Sequence, residues 1–245
     1  MNRLLAVAQR VLHQLGRDRR FLALSIAAPL LVIYVSKVAL DSFNVPFINV
    51  SQFVVPIGAF VVHFATYILC AIVLVRERTA QTLARMFVNG YTQPEIIGGY
   101  VLAYTCVATM QTILVMVELS WLFHLNYAAS VLFSIYFVIW LLAIISICLG
   151  IFVSNFARNE GQVLPFIPLV TIPGVFLSDV IFSVDRFPKW AQWLSRGTPL
   201  FHANKIIQRL LHDGTLREDW QRLALLIGYG AIVLLLATTT LRESD

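Results

Sequence analysis

Six long apolar stretches divide the chain, and they limit it to architectures that cross a membrane. They cover residues 21–40, 53–75, about 96–120, about 129–153, about 161–182 and about 223–241, and the second contains no charged side chain. A bilayer core of about 30 Å needs roughly 20 apolar residues of helix, and an unpaired strand or loop cannot cross it. The runs are continuous, whereas the strands of a membrane barrel alternate every second residue. The sequence therefore predicts an all-α integral membrane protein with six transmembrane helices.

Composition excludes the water-soluble classes of protein. Of the 245 residues, 59% are hydrophobic and 13% are charged, whereas soluble domains carry about a quarter charged residues. This excludes a soluble enzyme, a nucleic-acid-binding module and a disordered chain. The net charge of +5 reflects arginines at the ends of the apolar runs, which is typical of membrane orientation and not of a nucleic-acid partner. Cys70, Cys106 and Cys148 lie inside apolar runs without metal-ligand spacing, so we interpret them as small core residues.

The basic residues between the runs predict the orientation. The side that holds the amino terminus, the 76–95 loop and the carboxyl terminus carries ten Arg and Lys residues, and the other side carries six. Cytoplasmic segments hold the excess of such residues. We therefore predict a multi-pass protein of the inner (plasma) membrane with both termini in the cytoplasm. The first apolar run is longer than the core of a signal peptide, so we expect it to be retained as a helix.

Residues 1–20 contain the pattern of an amphipathic helix. Arg3, Arg10 and Arg17 share one face, and the opposite face is apolar, with Leu4, Val7, Ala8, Val11, Leu12 and Leu15. Such a helix lies along the membrane interface. It is either an anchor beside anionic lipid or a segment that also touches a cytosolic partner.

Two further segments are neither spans nor simple loops. In the 76–95 loop, a short helix carries an apolar ridge of Leu83, Met86 and Phe87, which either docks into another protein or packs on its own bundle. In the 183–219 segment the pattern indicates two short amphipathic helices, the second of them starting at Thr198-Pro199. These two helices fit either a re-entrant lid or an aromatic belt at the interface.

Catalytic motifs are missing from the sequence. It has no Gly-rich phosphate loop ending in Lys-Ser/Thr, no H-E-x-x-H and no G-x-S-x-G. We interpret His63 as a buried neutral histidine, and Glu118 as an interfacial carboxylate. We therefore expect no catalytic residue, no metal site and no cofactor in this chain, which favours transport over catalysis.

The 76–95 loop resembles the first-loop motif of type-2 ATP-binding-cassette (ABC) transporter permeases, roughly R-E-R-x-x-G-T-L-E-R-L followed by P-V-S and E-I-I-x-G-K. The matching residues are Arg76-Glu77-Arg78, Thr82-Leu83, Glu95-Ile96-Ile97 and Gly99. The chain departs from the pattern at Gln81, Ala84, Gly90 and Tyr100. A second match runs from Leu164-Pro165 to Pro188-Lys189-Trp190 and on to Thr198-Pro199-Leu200, with Asp179 in place of a glycine. The resemblance covers essentially the whole chain.

The resemblance implies one transmembrane domain, 1–245, that is half of an exporter. Residues 1–20 would be its elbow helix, 76–95 its cytoplasmic coupling loop and 183–219 its outer re-entrant segment between helices 5 and 6. Its implied partners are cytosolic ABC ATPase subunits, which bind ATP and Mg²⁺, and a second permease subunit in a homodimer or heterodimer. The residues implied to couple the chain to the ATPase are Arg76, Glu77, Thr82, Leu83, Met86, Phe87 and Glu95.

The resemblance implies a permease subunit of an ATP-driven exporter that moves an amphipathic, drug-like or lipid-like compound out of the cytoplasm by alternating access. The alternatives are a polysaccharide or glycolipid exporter of the same architecture and, in another class, an intramembrane enzyme. Two of the spans carry polar and aromatic stripes that could face a seam between two subunits. The candidate pathway residues are Phe60, His63, Thr66 and Tyr67 in the second run, and Phe166, Val170, Phe176 and Asp179 in the fifth.

Overall fold

A computed structural model describes residues 3–43, 50–212 and 215–241, and these are helical almost throughout. Over those residues the chain forms eleven α-helices and one short 3₁₀ turn, and no strand. The helices are α1 (Arg3–Arg17), α2 (Arg19–Phe43), α3 (Val50–Thr79), α4 (Thr82–Val88), α5 (Gln93–Phe123), α6 (Ala129–Ser154), α7 (Glu160–Val163), α8 (Phe166–Phe176), α9 (Lys189–Ser195), α10 (Pro199–Leu211) and α11 (Trp220–Thr240).

Five of the helices in the described part of the chain, α2, α3, α5, α6 and α11, are long and apolar enough to cross a membrane. At 1.5 Å per residue, the shortest of them, with 21 residues, extends about 31 Å, which matches the hydrocarbon core. The prediction of an all-α membrane protein is therefore confirmed. The two outermost helices, α2 and α11, bury far fewer of their residues in the chain than α6 does.

The fifth predicted span, 161–182, is not one continuous helix. Its residues form α7, a break at Leu164-Pro165, and the 11-residue helix α8. Proline has no N–H to donate, and its ring clashes with the preceding turn, so Pro165 ends the first piece. Helix α8 extends only about 17 Å, roughly half of a bilayer core. Beyond it the backbone turns at Asp179, whose φ is 63°.

Helix α6 lies at the centre of the bundle and packs against α3, α5, α10 and α11. The closest approach is at Gly150, where a Cβ would lie 2.6 Å from the carbonyl oxygen of Tyr67 and 2.8 Å from Cβ of Cys70 on α3. Cys70 and Cys148 are buried near this crossing, as expected of small core residues, but Cys106 is exposed on α5. The prediction for Cys106 is wrong because its position on α5 faces away from the bundle.

Gly150→Ala is expected to destabilise the protein by about 1–3 kcal/mol, since the new methyl group meets backbone atoms of α3 that cannot rotate away. Thermal unfolding of the purified chain in detergent measures the change. Gly228→Ala is the matched control, because nothing lies within 4 Å of a Cβ at that helical glycine. An equal unfolding temperature for the two variants would show that the helices separate at no cost.

Helix α1 lies against the amino-terminal turns of α5. Val7, Ala8, Val11 and Leu15 are buried there, whereas the predicted face also contained Leu12, which is exposed. Gly99 of α5 permits the contact, because a Cβ at this position would lie 2.6 Å from Cβ of Val7. At the other end of the bundle, α10 begins at Pro199 as predicted and buries its apolar stripe against α3, α6 and α11.

Candidate functional site

The last turns of α3 carry Arg76, Glu77 and Arg78, and each side chain contacts a different part of the chain. Glu77 is 3% exposed and accepts a hydrogen bond of 2.6 Å from Arg10 of α1. Arg78 donates to the carbonyl oxygens of Ser154 (3.0 Å) and Ala157 (2.8 Å), just where α6 ends. A cation among the last carbonyls of a helix satisfies acceptors that have no partner within the helix.

Arg76 is the exposed member of the three. It lies 3.3 Å from Glu160 of α7 and 3.9 Å from Asp18, between α1 and α2. Ion pairs this exposed to solvent contribute little stability. The three side chains thus link the end of α3 to α1, to the end of α6 and to α7. The sequence motif identified these residues but not their partners, because Arg10 and Ser154 lie 67 and 76 positions away.

Helix α4 carries the predicted apolar ridge, and that ridge faces this chain. Leu83 is 1% exposed and Met86 7%, both within the main hydrophobic core, and Phe87 packs against the core from its edge. Packing on the chain's own bundle, one of the two alternatives, therefore describes these residues in the structure. The exposed apolar side chain of α4 is Val88, at 87%, and Arg85 is exposed beside it.

The turn from α4 to α5 fixes the position of α4. Asn89 donates to the carbonyl of Arg85 (2.8 Å), and Gly90 adopts a φ of 77° that a side chain would disfavour. Glu95 and Thr92 then form a capping box at the start of α5, in which Glu95 accepts from the backbone N–H of Thr92 at 2.9 Å. The spacing Thr-x-x-Glu is a signal for this role that sequence reasoning did not use.

Arg3 of α1 joins the same turn. Its guanidinium donates to the carbonyl of Gly90 and lies over the ring of Tyr91, 5.8 Å from the centroid. The start of α1, the end of α4 and the start of α5 therefore meet at one end of the bundle. We use the name loop-end cluster for Arg3, Gly90 and Tyr91 together with Arg10 and Arg76-Glu77-Arg78.

The predicted pathway residues of α3 do not share one surface. His63 lies inside the bundle, where its Nδ1 is 2.6 Å from Oγ of Ser146, and the Ser146 hydroxyl donates in turn to the carbonyl of Leu142. Thr66 donates to Oε1 of Gln111 at 3.4 Å. Both contacts bind α3 to neighbouring helices of the same chain.

Tyr67 and Phe60 point in different directions. The buried Tyr67 donates to the carbonyl of Phe166 at 3.2 Å, so that α3 contacts the start of α8. Phe60 is half-buried on the side toward α2, 5.7 Å from the ring of Phe64. A seven-residue spacing placed the two side chains on nearly one stripe, but the neighbouring helices bury one of them and leave the other at the surface.

The predicted pathway residues of the fifth apolar run lie in α8 and in the segment that follows it. Val170 is half-buried, and Phe176 is exposed and stacks on Phe182 with 5.7 Å between ring centroids. Asp179 has a structural partner at each carboxylate oxygen. It accepts from the N–H of Val184 (2.7 Å) and pairs with Lys205 of α10 (2.6 Å), so it holds the segment after α8 onto α10.

Sequence reasoning missed a buried ion cluster between α10 and α11. Asp219 is 3% exposed and lies 3.1 Å from Arg209 and 2.7 Å from Arg222. It is at the end of the bundle opposite the loop-end cluster, since Gln52 at the start of α3 reaches His212 at the end of α10. Over the described ranges no three His, Cys, Asp or Glu side chains group as metal ligands.

Comparison with known proteins identifies the chain. The model of the ABC-2 type transporter family matches residues 2–211. The chain is 26% identical over 191 residues to the probable multidrug ABC transporter permease YbhR of Escherichia coli K12. This alignment covers 77% of this chain and 51% of YbhR. It is 20% identical over 198 residues to ABC transporter G family member 20 of Dictyostelium discoideum, covering 79% of this chain and 27% of the relative. The matched part of the chain therefore spans about half the length of YbhR and about a quarter of the length of the Dictyostelium relative. It belongs to the ABC-2 type transporter family.

Proposed function

We propose that this chain is the transmembrane subunit of an ATP-driven exporter that moves an amphipathic, drug-like or lipid-like compound out of the cytoplasm. Membership of the ABC-2 family and the five spanning-length helices support a permease. The multidrug designation of YbhR supports an amphipathic cargo. ATP and Mg²⁺ would bind to separate ATPase subunits, and a second permease subunit, identical or different, would complete the pathway. Both termini would lie in the cytoplasm, and α7 and α8 would together form a broken crossing between α6 and α11, the fifth of six in chain order.

The loop-end cluster is the observation that carries this proposal. A permease driven from outside needs an exposed element that is rigidly joined to several spans, and α4 fits because its buried face packs on the core. In this proposal Leu83, Met86 and Phe87 anchor α4, Glu95 fixes the turn after it, and Thr82 begins it. Arg76 and Glu77 then pass its motion to α7 and α1.

The contact with the ATPase would use the exposed side of α4, where Arg85 and Val88 lie. In this proposal α1 is the elbow helix at the membrane interface, and the segment from η1 (Val184–Arg186) to α10 is the outer re-entrant segment. The asymmetry of α4, anchored on one face and free on the other, is what a coupling helix requires.

The pathway would form between two permease subunits. Phe60, Phe166, Val170 and Phe176 are the candidates nearer the surface, and the Asp179 side chain is 8% exposed against α10. Three α3 candidates, His63, Thr66 and Tyr67, are buried inside the bundle. The buried three would reach the pathway only in a state in which α3 separates from α5, α6 and α8. Alternating access supplies such a state, since it moves spans relative to one another.

Val88→Asp is expected to weaken binding of the ATPase subunit about 30-fold or more, because a charge enters the centre of the proposed docking face. The fold should persist, since Val88 is 87% exposed. The test reconstitutes the chain in nanodiscs with a candidate ABC ATPase subunit and measures both the binding affinity and the ATP turnover, with amphipathic cations or a lipid-linked glycan as stimulants. Stimulation by the glycan alone would favour the polysaccharide or glycolipid exporter.

Thr215→Asp is the matched control, because it introduces the same charge at an exposed position on the α10–α11 side of the bundle. It should bind the ATPase as the unchanged chain does. Full ATPase binding and transport by Val88→Asp would exclude α4 as the docking element.

A further inference from the structure

An apolar groove of about 470 Å³ runs between α2 and α3. Its walls include Leu24, Pro29, Phe64 and Ile68, and its polar lining is confined to a serine and one arginine, Arg76. Both helices are of spanning length, so the groove opens toward the bilayer and not toward water. A groove of this composition is filled in a membrane by an apolar chain.

The groove is long enough for an acyl chain of one leaflet. Its lining extends along α2 from Phe21 to Val32, a rise of about 16 Å, and along α3 from Phe60 to Arg76, a rise of about 24 Å at 1.5 Å per residue. Half of the hydrocarbon core is about 15 Å thick. The groove starts at Phe21 and Arg76, at the end of the bundle that carries α4. It therefore fits one acyl chain that enters from the surface on that side.

Two exposed basic residues lie close in sequence to the start of the groove. Arg17 and Arg19 flank Asp18, which lies 3.9 Å from Arg76 at the mouth, and they come four and two residues before Phe21. In the ion pairs of the described residues neither has an acidic partner. Arg76 at the mouth forms ion pairs with both Asp18 and Glu160. Three arginines against two carboxylates leave a net positive charge, which complements an anionic headgroup.

We propose that this groove binds one anionic phospholipid of the adjacent leaflet. One acyl chain occupies the groove between α2 and α3, and the headgroup phosphate lies on Arg17 and Arg19. A second protein copy would cover the apolar walls without needing the arginines, and a free phosphate would use the arginines without the groove. An anionic lipid requires both features together, an apolar groove long enough for its acyl chain and basic residues near the mouth of that groove.

The test titrates the purified full-length chain in detergent with pyrene-labelled phosphatidylglycerol and, separately, with phosphatidylcholine of the same acyl chains. Energy transfer from the protein's tryptophans reports binding. We expect tighter binding of phosphatidylglycerol. The double variant Arg17→Gln/Arg19→Gln should bind it about 30-fold more weakly, about 5-fold for each arginine, with phosphatidylcholine binding unchanged. Arg186→Gln, an exposed arginine after α8, is the control and should change neither.

Groove-filling variants test the place of the acyl chain. Ala65→Trp and, independently, Ala28→Phe should each reduce binding of both lipids. The unfolding temperature of each variant shows whether that variant is folded, and the test uses the folded ones. Equal binding of the two lipids, a retained preference in the double arginine variant, or unchanged binding in a folded filled variant would each overturn the proposal. So would displacement of the lipid by glycerol 3-phosphate, or efficient crosslinking of two copies through Leu24→Cys in nanodiscs.

Discussion

Arg10→Gln is expected to destabilise the protein by about 3 kcal/mol, and Glu77→Gln by about half as much. The difference follows from burial, because the Glu77 side chain is 3% exposed and the Arg10 side chain is 35% exposed. Loss of Arg10 leaves a buried carboxylate with an uncompensated charge, whereas loss of Glu77 leaves a guanidinium that water can reach. The free energy of unfolding in lipid, measured for both single variants and the double variant, checks this order.

The double variant Arg10→Gln/Glu77→Gln should be more stable than Arg10→Gln alone, since the unpaired charge is gone. Lys37 and Asp41 of α2 provide the matched control pair. Their nitrogen–oxygen distance of 2.7 Å is similar, but the Asp41 side chain is 60% exposed whereas that of Glu77 is 3% exposed, so their coupling energy should be below about 0.5 kcal/mol. Equal coupling energies for the two pairs would mean that burial of Glu77 has no energetic consequence.

The same variants examine the proposed coupling. If α1 moves with α3 through this ion pair, Glu77→Gln should reduce transport per folded molecule while ATP turnover by the partner continues. If the pair only supports the fold, transport should fall in proportion to the folded fraction. The comparison at a temperature well below unfolding separates these two roles.

Long apolar runs predicted most of the membrane-spanning helices for a simple reason. A helix in lipid must satisfy its own backbone hydrogen bonds, so a long apolar run has few alternatives. The 53–75 run became part of α3, and the boundaries shifted because polar turns such as Arg76-Glu77-Arg78 continue the helix beyond the apolar part. The run with Pro165, Pro168 and Pro173 did not form one continuous helix. A count of apolar residues does not register the backbone hydrogen bonds that prolines remove.

The candidate sites were less predictable, because a pattern identifies a face without identifying what covers it. Helix α4 is amphipathic as the sequence indicated, but its apolar ridge of Leu83 and Met86 packs against the chain's own core. His63 and Tyr67 were proposed to face a seam between two subunits, but in the structure His63 contacts Ser146 of α6 and Tyr67 contacts Phe166 of α8. Partners far apart in sequence, such as Arg10 and Glu77, leave no local signal in a single chain.

Removal of both arginines around Asp219 is expected to have a large effect on the opposite end of the bundle. In Arg209→Gln/Arg222→Gln the carboxylate stays 3% exposed and loses both cations, which should cost about 3–5 kcal/mol. Asp219→Asn should cost less, about 1–2 kcal/mol, because the arginines are 45% and 34% exposed and water can solvate them. The triple variant should recover part of the loss.

Hydrogen exchange shows where this cost falls. Asp219 joins Arg209 of α10 to the start of α11, so the double arginine variant should expose the amides of α10 to exchange by local opening, while those of α6 stay protected. Arg186→Gln serves as the control for loss of an exposed arginine on the same side. If α10 is a moving part of an outer gate, the looser α10 should also change the transport rate at temperatures where α6 is fully protected. Uniform loss of protection across α6 and α10 would instead make the Asp219 cluster a support of the whole bundle.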